Sequence, residues 1–436
     1  SSTALWTAKG SSLMQLGRFG PAVAAYDEVL AIEPDNISAH LERARALVSL
    51  ERFAEAVESF DNVIALDDTH AAAWFEKGVS LFRLKKYEMT IDVLGRALEL
   101  DPGNHEAMYY RASSFFSLQR YDEAIESYHH LLSLTPENAD AWHEQGVALA
   151  CTGRHSDAVT AFGRSIGIRP GSFDVLFARA RSLDILERTG EAIDAYNESL
   201  AIQPLHVPSL HFKGAALLRL GRYEEAVKIF DRALEIDPGF ADLQFDKGRA
   251  LASLGMFREA VKTFDKVIGL DRNYPAAYAE KGRVLASLGR HDEAIIAFNK
   301  NLDLDPANEA AFHSKGLSLL ATGRYNDAIE AFDRVLALAP RSIDAWLERG
   351  KALSNLSRHN DAIESYVKTL EIDPINAEAW YLKGSAQFSL LAFEDAIEAF
   401  NKAMEMRPTY VEAHYDKGRA LCEIGMFKEA VIAFDN

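Results

Sequence analysis

A proline recurs along this sequence at intervals of 34 or 68 residues, from Pro34 to Pro408. A small residue keeps the same spacing, and its positions are Gly10, Ala44, Gly78, Ala112, Gly146, Ala180, Gly214, Gly248, Gly282, Gly316, Gly350, Gly384 and Gly418. The phase holds without an insertion or deletion. Twelve full units therefore cover residues 3–410, and a truncated thirteenth unit covers 411–436. A fixed period of this length is typical of a solenoid, in which each repeat packs on its neighbours.

Each unit contains apolar residues at helical spacing in both of its halves. Trp346, Gly350 and Leu353 show this spacing in a first half, and Ala362 and Tyr366 show it in the second half of the same unit. The spacing predicts two helices per unit, and no β pattern competes with it. Since one such helical pair cannot cover both of its apolar faces, stacking of the units is the expected source of stability.

The break between the two helices has its own sequence signals. Seven units carry a glycine that suits a left-handed C-cap, at Gly17, Gly153, Gly221, Gly255, Gly289, Gly323 and Gly425. Polar residues shortly afterwards are predicted to cap the second helix, at Asp122, Ser156, Asp292, Asn326 and Asn360. The proline near the end of each unit is predicted to end the second helix, because the residue before proline avoids the helical region.

The combined pattern resembles the tetratricopeptide repeat family. It places a large residue, then Gly or Ala four residues on, Leu three further, and then Ala, an aromatic residue and Pro. The large residue is tryptophan at Trp6, Trp74, Trp142, Trp346 and Trp380. The resemblance covers the whole chain. It implies an all-α, right-handed superhelical solenoid of about thirteen helix-turn-helix repeats, with residues 1–436 forming one domain. It also implies that the first helices line a concave groove.

The composition restricts the classes of partner. Hydrophobic residues make up 48% of the chain and charged residues 26%, which indicates a folded protein. The net charge of -18 disfavours nucleic acid, because phosphate contacts need clustered Lys and Arg. No apolar run of about 18 residues is present, so membrane insertion is not expected. The two cysteines, Cys151 and Cys422, define no disulfide framework.

The residue before each small residue is basic in twelve of the thirteen units. These residues are Lys9, Arg43, Lys77, Arg111, Arg179, Lys213, Lys247, Lys281, Lys315, Arg349, Lys383 and Lys417, with Gln145 as the exception. One interpretation is a cationic strip for an acidic polymer. The favoured interpretation is structural, because the chain is strongly acidic. It pairs each cation with Glu76, Glu280, Glu348 or Asp416 just before it, or with Asp231, Asp265 or Asp333 on second helices.

The candidate binding residues lie on the first helices, directly after the large residue that opens the pattern. They are expected to face the groove, and they are Thr7, Leu41, Phe75, Tyr109, His143, Phe177, His211, Phe245, Ala279, His313, Leu347, Tyr381 and Tyr415. Four residues further on the same face come Arg45, Arg181, Arg249, Arg283, Lys351 and Arg419. Large rings exposed in a groove are good anchors for a peptide, although part of this column can also be packing between adjacent helices. The predicted function is a scaffold that binds an extended peptide or a partner protein.

No catalytic constellation interrupts the repeat. The sequence has no glycine-rich phosphate loop, and "HEQGV" at His143 lacks the second His of a zinc-protease motif. The pair His129 and His130 faces two sides of one helix and does not form a metal site by itself. We therefore predict no enzymatic activity, no cofactor and no metal.

An alternative function is head-to-tail assembly of this chain into a filament. The first predicted helix carries Trp6 and Leu13, and the sequence stops in a second helix with Val431, Ile432 and Phe434. Without a capping element, each end is expected to offer the kind of surface that internal repeats bury. The simpler expectation, favoured because the chain opens with Ser rather than Met, is that the segment was cut from a longer protein.

Overall fold

The computed structural model describes residues 2–435, which form 26 α-helices and contain no strand. The prediction of an all-α fold with two helices per unit is confirmed. The first helices are α1 Ser2–Gln15, α3 Ile37–Ser49, α5 Ala71–Arg83, α7 His105–Ser117, α9 Ala139–Cys151, α11 Phe173–Ile185, α13 Val207–Arg219, α15 Ala241–Ser253, α17 Pro275–Ser287, α19 Glu309–Ala321, α21 Ile343–Asn355, α23 Ala377–Ser389 and α25 Val411–Glu423. The second helices are α2 Phe19–Ile32, α4 Phe53–Leu66, α6 Tyr87–Leu100, α8 Tyr121–Leu134, α10 His155–Ile168, α12 Thr189–Ile202, α14 Tyr223–Ile236, α16 Phe257–Leu270, α18 His291–Leu304, α20 Tyr325–Leu338, α22 His359–Ile372, α24 Phe393–Met406 and α26 Phe427–Asp435.

The helices fall into two compact units, residues 1–220 with α1–α13 and residues 221–436 with α14–α26. Within each unit every helix packs against the next one along the chain. Most successive first helices also contact each other, whereas no two successive second helices among those described do so to the same degree. The first helices therefore line the inner face of each unit. The single domain over 1–436, the exact number of repeats and the right-handed superhelix remain predictions, and Ser1 and Asn436 lie outside the described residues.

The core of each repeat is a contact between its two helices. In most repeats the second helix contributes an aromatic ring that is fully buried, as at Phe60, Tyr128 and Phe264, whereas α6 carries Leu94 at this position and Phe434 in α26 is 47% exposed. The first helix contributes the small residue of the sequence pattern, such as Ala44 or Gly248, which are also buried. Because this contact is repeated every 34 residues, the core is a continuous row of small clusters in each unit rather than one central mass.

The turn between the two helices has the predicted left-handed residue. All seven predicted glycines have positive φ, between 68° and 79°. Six non-glycine residues occupy the same place with φ between 58° and 63°, and they are Glu51, Lys85, Gln119, Glu187, Ser357 and Leu391. At the first turn Gly17 N donates to the Met14 carbonyl at 3.0 Å, and Arg18 N donates to the Leu13 carbonyl at 2.9 Å. These are the two hydrogen bonds of a Schellman motif.

The predicted caps of the second helices are wrong. Asp122, Ser156, Asp292, Asn326 and Asn360 each lie at the second residue of their helix, because each helix begins two residues earlier than such a cap requires. The N-cap is an arginine without a side-chain cap, and Arg120 instead pairs with Glu123 at 2.7 Å. Side-chain caps occur on first helices. There Asn308 accepts a hydrogen bond from the backbone N–H of Ala311 at 3.0 Å.

The structural interpretation of the basic column is confirmed in part. Arg43 pairs with Asp27 at 2.6 Å, and the same contact joins Lys77 to Asp61, Lys247 to Asp231, Lys281 to Asp265 and Arg349 to Asp333. Each pair links a first helix to the preceding second helix. The other expected partners, Glu76, Glu280, Glu348 and Asp416, pair instead with cations on the inner face.

Candidate interaction surface on the first helices

The predicted groove residues lie on the first helices, but their rings are less exposed than expected. Of the nine aromatic and His side chains, Tyr415 is exposed (58%), whereas Phe75, Tyr109, His143, Phe177, His211, Phe245, His313 and Tyr381 are half-buried. Seven of the nine contact the core ring of their own repeat. For example, the ring centres of Phe245 and Phe264 are 5.9 Å apart. The expectation of freely exposed rings is wrong for these eight, because part of each ring belongs to the core.

Aromatic residues at the start of the next first helix extend this column. The Tyr381 ring lies 5.0 Å from Tyr410, and the Phe245 ring lies 5.1 Å from Tyr274. The Tyr381 hydroxyl also donates to Asp416 at 3.1 Å. Burial and the Asp416 carboxylate both raise the pKa of Tyr381. Tyr274 and Tyr410 are not among the predicted binding residues, although both stand where other repeats carry an N-cap Asn.

The three arginines predicted to bind a ligand already have partners. Arg249 pairs with Asp246 at 3.5 Å, and Arg283 pairs with Glu280. Arg181 stacks on Phe212, with its guanidinium carbon 3.6 Å from the ring centre. The sequence signal for the two ion pairs is an acidic residue three positions before the cation, a spacing that brings the side chains together on a helix.

Some cations on this face also join neighbouring first helices. Arg45 binds Glu42 on its own helix at 2.9 Å and Glu76 on the next first helix at 2.6 Å. Lys351 joins Glu348 and Glu378 in a similar way, at 2.8 Å each. Much of the inner face is therefore an ion-pair network whose charges are mutually satisfied.

That network is interrupted between α5 and α7, where an open cavity forms. Val79 stands at the position of Arg45, and Tyr110 stands at the position of Glu76, so the ion pair between α3 and α5 is not continued to α7. The cavity has a volume of about 610 Å³, and Phe75, Val79 and Tyr110 line it. Of these residues, only Phe75 was predicted as a binding residue.

Three charged side chains border the cavity without a side-chain partner. Glu51, Arg83 and Glu106 line it, and all three are exposed. Within residues 2–435 none of these side chains forms a hydrogen bond or an ion pair. The cavity thus combines an apolar wall with one unpaired cation and two unpaired anions, which is a suitable arrangement for a peptide.

Glu144 is a second break in the inner-face network. It occupies the position of Glu42 and Glu76, but Val147 replaces the arginine three residues later. Burial raises the pKa of Glu144, with the Asp140 carboxylate adding to the effect and His143 opposing it.

The residues predicted for end-to-end contact differ in exposure. Val431 is 58% exposed and Ile432 62%, and Phe434 is less exposed because its ring packs on Gly418. At the other end Trp6 is half-buried. Leu13 lies in the core with an exposure of only 9%, since it faces α2, so the expectation for Leu13 is wrong.

The described residues show neither a metal site nor a membrane span. No group of three His, Cys, Asp or Glu side chains between residues 2 and 435 is placed to hold a metal ion. In that same range no helix has both the length and the apolar character needed to cross a membrane.

Models of one family match most of this chain. The tetratricopeptide repeat model covers residues 7–67, 41–89, 91–131, 177–240, 313–374 and 347–410. The chain is a member of the tetratricopeptide repeat family. Related models of the same repeat match residues 112–153, 217–280 and 275–308. Tetratricopeptide repeats support a general function as a protein-interaction scaffold, and the fold is typically non-catalytic.

Several solved structures are similar to this chain. YrrB, described as having an unusual peptide-binding site, is 25% identical over 43% of this chain and 97% of its own, with a TM-score of 0.40. MamA from Desulfovibrio magneticus RS-1 is 25% identical over 39% and 96%, with a TM-score of 0.38. The C-terminal part of a repeat protein from Cytophaga hutchinsonii is 19% identical over 54% and 97%, with a TM-score of 0.50. Comparison with curated proteins gives no match.

Proposed function

We propose that the inner face of α3, α5 and α7 binds an extended peptide, one apolar side chain of which enters the cavity between Phe75 and Tyr110. The observation that carries the proposal is the cavity itself. It is open, it measures about 610 Å³, and its wall is partly aromatic. Buried apolar anchors supply most of the binding energy in peptide complexes, and a cavity of this size accepts a large aliphatic or aromatic side chain.

The three unpaired charges restrict what flanks the anchor. The side chains of Glu51, Arg83 and Glu106 lie at the cavity and have no partner within the described residues. A peptide with one acidic residue for Arg83 and basic residues for the two glutamates satisfies all three. Because these side chains are exposed, each ion pair is worth about 0.2–1 kcal/mol. The charges therefore orient the peptide more than they hold it.

The remaining predicted groove residues are proposed as secondary contacts. In the first unit they are Tyr109, His143, Phe177, Arg181 and His211, and in the second they are Phe245, Arg249, Arg283, His313, Tyr381 and Tyr415. Apart from the exposed Tyr415, their half-buried rings present an edge to a ligand without leaving the core. Their arginines can contact a peptide only by sharing or releasing their present partners.

A variant that closes the cavity tests this function. Val79→Arg combined with Tyr110→Glu places an Arg–Glu pair where Arg45 and Glu76 form one between α3 and α5. A peptide is first selected from a random library on the wild-type chain, and its Kd is then measured for both proteins. We expect binding to weaken at least tenfold in the closed variant, while the helical circular dichroism and the melting temperature are retained.

The matched control adds the same two charges elsewhere. Met89→Arg with Leu134→Glu places them on the second helices, where both native side chains are exposed. This control is expected to bind the selected peptide as the wild type does. Equal peptide binding by the closed variant and the wild type would overturn the proposed site.

End-to-end association is a second candidate, favoured by the apolar surface of α26. Val431 and Ile432 are more than half exposed there. Light scattering across a concentration series tests it on this chain. Val431→Lys with Ile432→Lys should lower the average mass if the wild type associates, and Phe434 is left unchanged because it packs on Gly418. A wild-type monomer at every concentration would exclude this candidate.

A further inference from the structure

A second candidate site lies where the ladder of ion pairs between successive helices is interrupted. In that ladder a basic residue on a first helix pairs with an aspartate sixteen positions earlier, as Arg43 does with Asp27 and Arg349 with Asp333. Sixteen positions before Arg111, however, the residue is a glycine, Gly95, and not an aspartate. A Cβ placed on Gly95 would meet no atom within 4 Å, so no neighbouring side chain occupies the space next to this glycine.

The missing aspartate leaves the Nε atom of Arg111 without the partner that other members of the basic column have. In Arg43 the Nε donates to Asp27 at 2.6 Å, while the terminal NH1 donates to Ser59 at 2.5 Å. Arg349 repeats both contacts with Asp333 and Ser365. In Arg111 the Nε is buried and has no hydrogen-bond partner within residues 2–435. A buried donor without a partner costs about 1–3 kcal/mol, and a charged one costs more.

A cavity of about 490 Å³ lies beside this guanidinium. Leu98, Met108 and Phe115 give it an apolar wall, and Ser127 lines it at the position that corresponds to Ser59. The Arg111 guanidinium carbon lies 5.6 Å from the centre of the Phe115 ring. The cation of Arg111, one of whose donors has no protein partner, therefore lies at the edge of a cavity with apolar walls.

We propose that this cavity binds a monocarboxylate with a short apolar body, whose oxygen takes the position of the missing aspartate on Arg111. The ligand is either a free carboxylic acid or an acidic side chain of a partner protein. The site is separate from the proposed peptide cavity. Arg111 and the groove residue Tyr109 are two positions apart on α7, which places them about 200° apart around the helix.

The other charged groups at the cavity restrict the ligand to a single negative charge. Glu123 lines the cavity but pairs with Arg120 at 2.7 Å. Glu126 and His130 also line it. One additional carboxylate is balanced by Arg111, whereas a second negative charge would face Glu126 without a cation to offset it.

Arg179 is the internal comparison, because glycine also stands sixteen positions before it, at Gly163, and its Nε is likewise buried without a partner. We place the site at Arg111, because the side chain of Arg111 lines the cavity of about 490 Å³ described above.

The test uses 4-fluorobenzoate and its neutral twin 4-fluorobenzamide, followed by ¹⁹F NMR on the full chain. We expect the carboxylate to bind at least tenfold more tightly than the amide. Gly95→Asp, which supplies the internal partner, and Arg111→Gln, which removes the cation, should each weaken carboxylate binding at least tenfold. Gly95→Ala is the matched control and should retain binding, and circular dichroism verifies that every variant is folded.

A second arm separates the two sources of the carboxylate. Acetyl-Leu-Glu-Leu-amide and its Gln twin are titrated in the same way. Tighter binding of the Glu peptide than of 4-fluorobenzoate, lost in Arg111→Gln, assigns the site to a partner's side chain, and the reverse order assigns it to a small acid. Equal binding of acid and amide, unchanged binding by Arg111→Gln, or equal losses in Gly95→Ala and Gly95→Asp would each overturn the proposal.

Discussion

A methyl group placed on the Cα of Gly248 would lie 2.6 Å from Cε1 of the Phe264 ring. That separation is too short for a carbon–carbon contact, so the side chain of any other residue would displace the ring or the helix. Gly146 against Phe162 and Gly282 against Phe298 show the same distance. Glycine at these positions therefore sets how closely the two helices of a repeat approach.

Replacing Gly248 should consequently destabilise the chain. We expect Gly248→Leu to lower the free energy of unfolding by about 1–3 kcal/mol or more, because the core contact is overpacked. Urea unfolding monitored by circular dichroism measures this. Gly269→Ala in α16 is the control, since a Cβ there meets nothing within 4 Å, and it should be neutral or stabilising by up to about 1 kcal/mol.

The strained turn at Leu391 allows a stabilising substitution. Leu391 has φ of 63° and is largely exposed, so its side chain contributes little to offset an unfavourable backbone conformation. Leu391→Gly should raise the free energy of unfolding by about 1 kcal/mol. The neighbouring Leu390, whose φ is -87°, provides the control. Leu390→Gly should be destabilising, and a gain from both variants would contradict the conformational explanation.

The helix caps provide a matched pair within one repeat. Asn308 caps α19, whereas Asn326 lies at the second residue of α20 and caps nothing. Asn308→Ala should cost about 1 kcal/mol of unfolding free energy, while Asn326→Ala should be close to neutral. If the two variants lower the melting temperature equally, Asn326 caps α20 as the sequence pattern predicted, and the explanation from the structure is wrong.

Several features of the fold could be predicted from the sequence, and the caps of the second helices could not. The helix pairs, the left-handed glycines and the buried rings follow from periodicity within one repeat, and they are found where predicted. The predicted N-cap of α20 was two residues too late, because Asn326 is a typical capping residue but the length of the turn places the cap at Arg324. The ion pairs between the basic column and aspartates on the second helices could be predicted, because both partners recur at a fixed spacing in the sequence.

The candidate site could be predicted only in part. Phe75 lies at the cavity because its column is on the inner face. The cavity itself depends on Val79 and Tyr110 replacing an ion pair between two helices, and this is visible only once it is known which columns meet across neighbouring repeats. The rings of Phe245 and Tyr381 were expected to be more exposed, since a helical projection does not show how far the second helix covers them.

Glu144 should make stability depend on pH. Burial raises its pKa in the folded chain above the ordinary value of about 4.3, so the folded state binds the proton more tightly than the unfolded state does. The contribution of Glu144 to stability is thus greatest at acid pH and falls as the pH rises through the raised pKa.

Glu144→Gln should remove the loss of stability that ionisation of Glu144 causes. The variant should therefore be more stable than wild type at pH 7, and the difference should be smaller at pH 4. Thermal melting at the two pH values measures it. Glu280→Gln is the control, because Glu280 is paired with Arg283 and its loss should be neutral or destabilising at pH 7. A Glu144→Gln variant less stable than wild type at pH 7 would contradict this account.

Hydrogen exchange with and without the library-selected peptide shows directly whether the peptide binds the inner face. We expect slower amide exchange in α3, α5 and α7, together with broadening or shifts of the Tyr110 ring resonances. Exchange in α4, α6 and α8 should be unchanged apart from general stabilisation. Protection confined to the second helices, with no change along residues 71–83 and 105–117, would contradict peptide binding on the inner face.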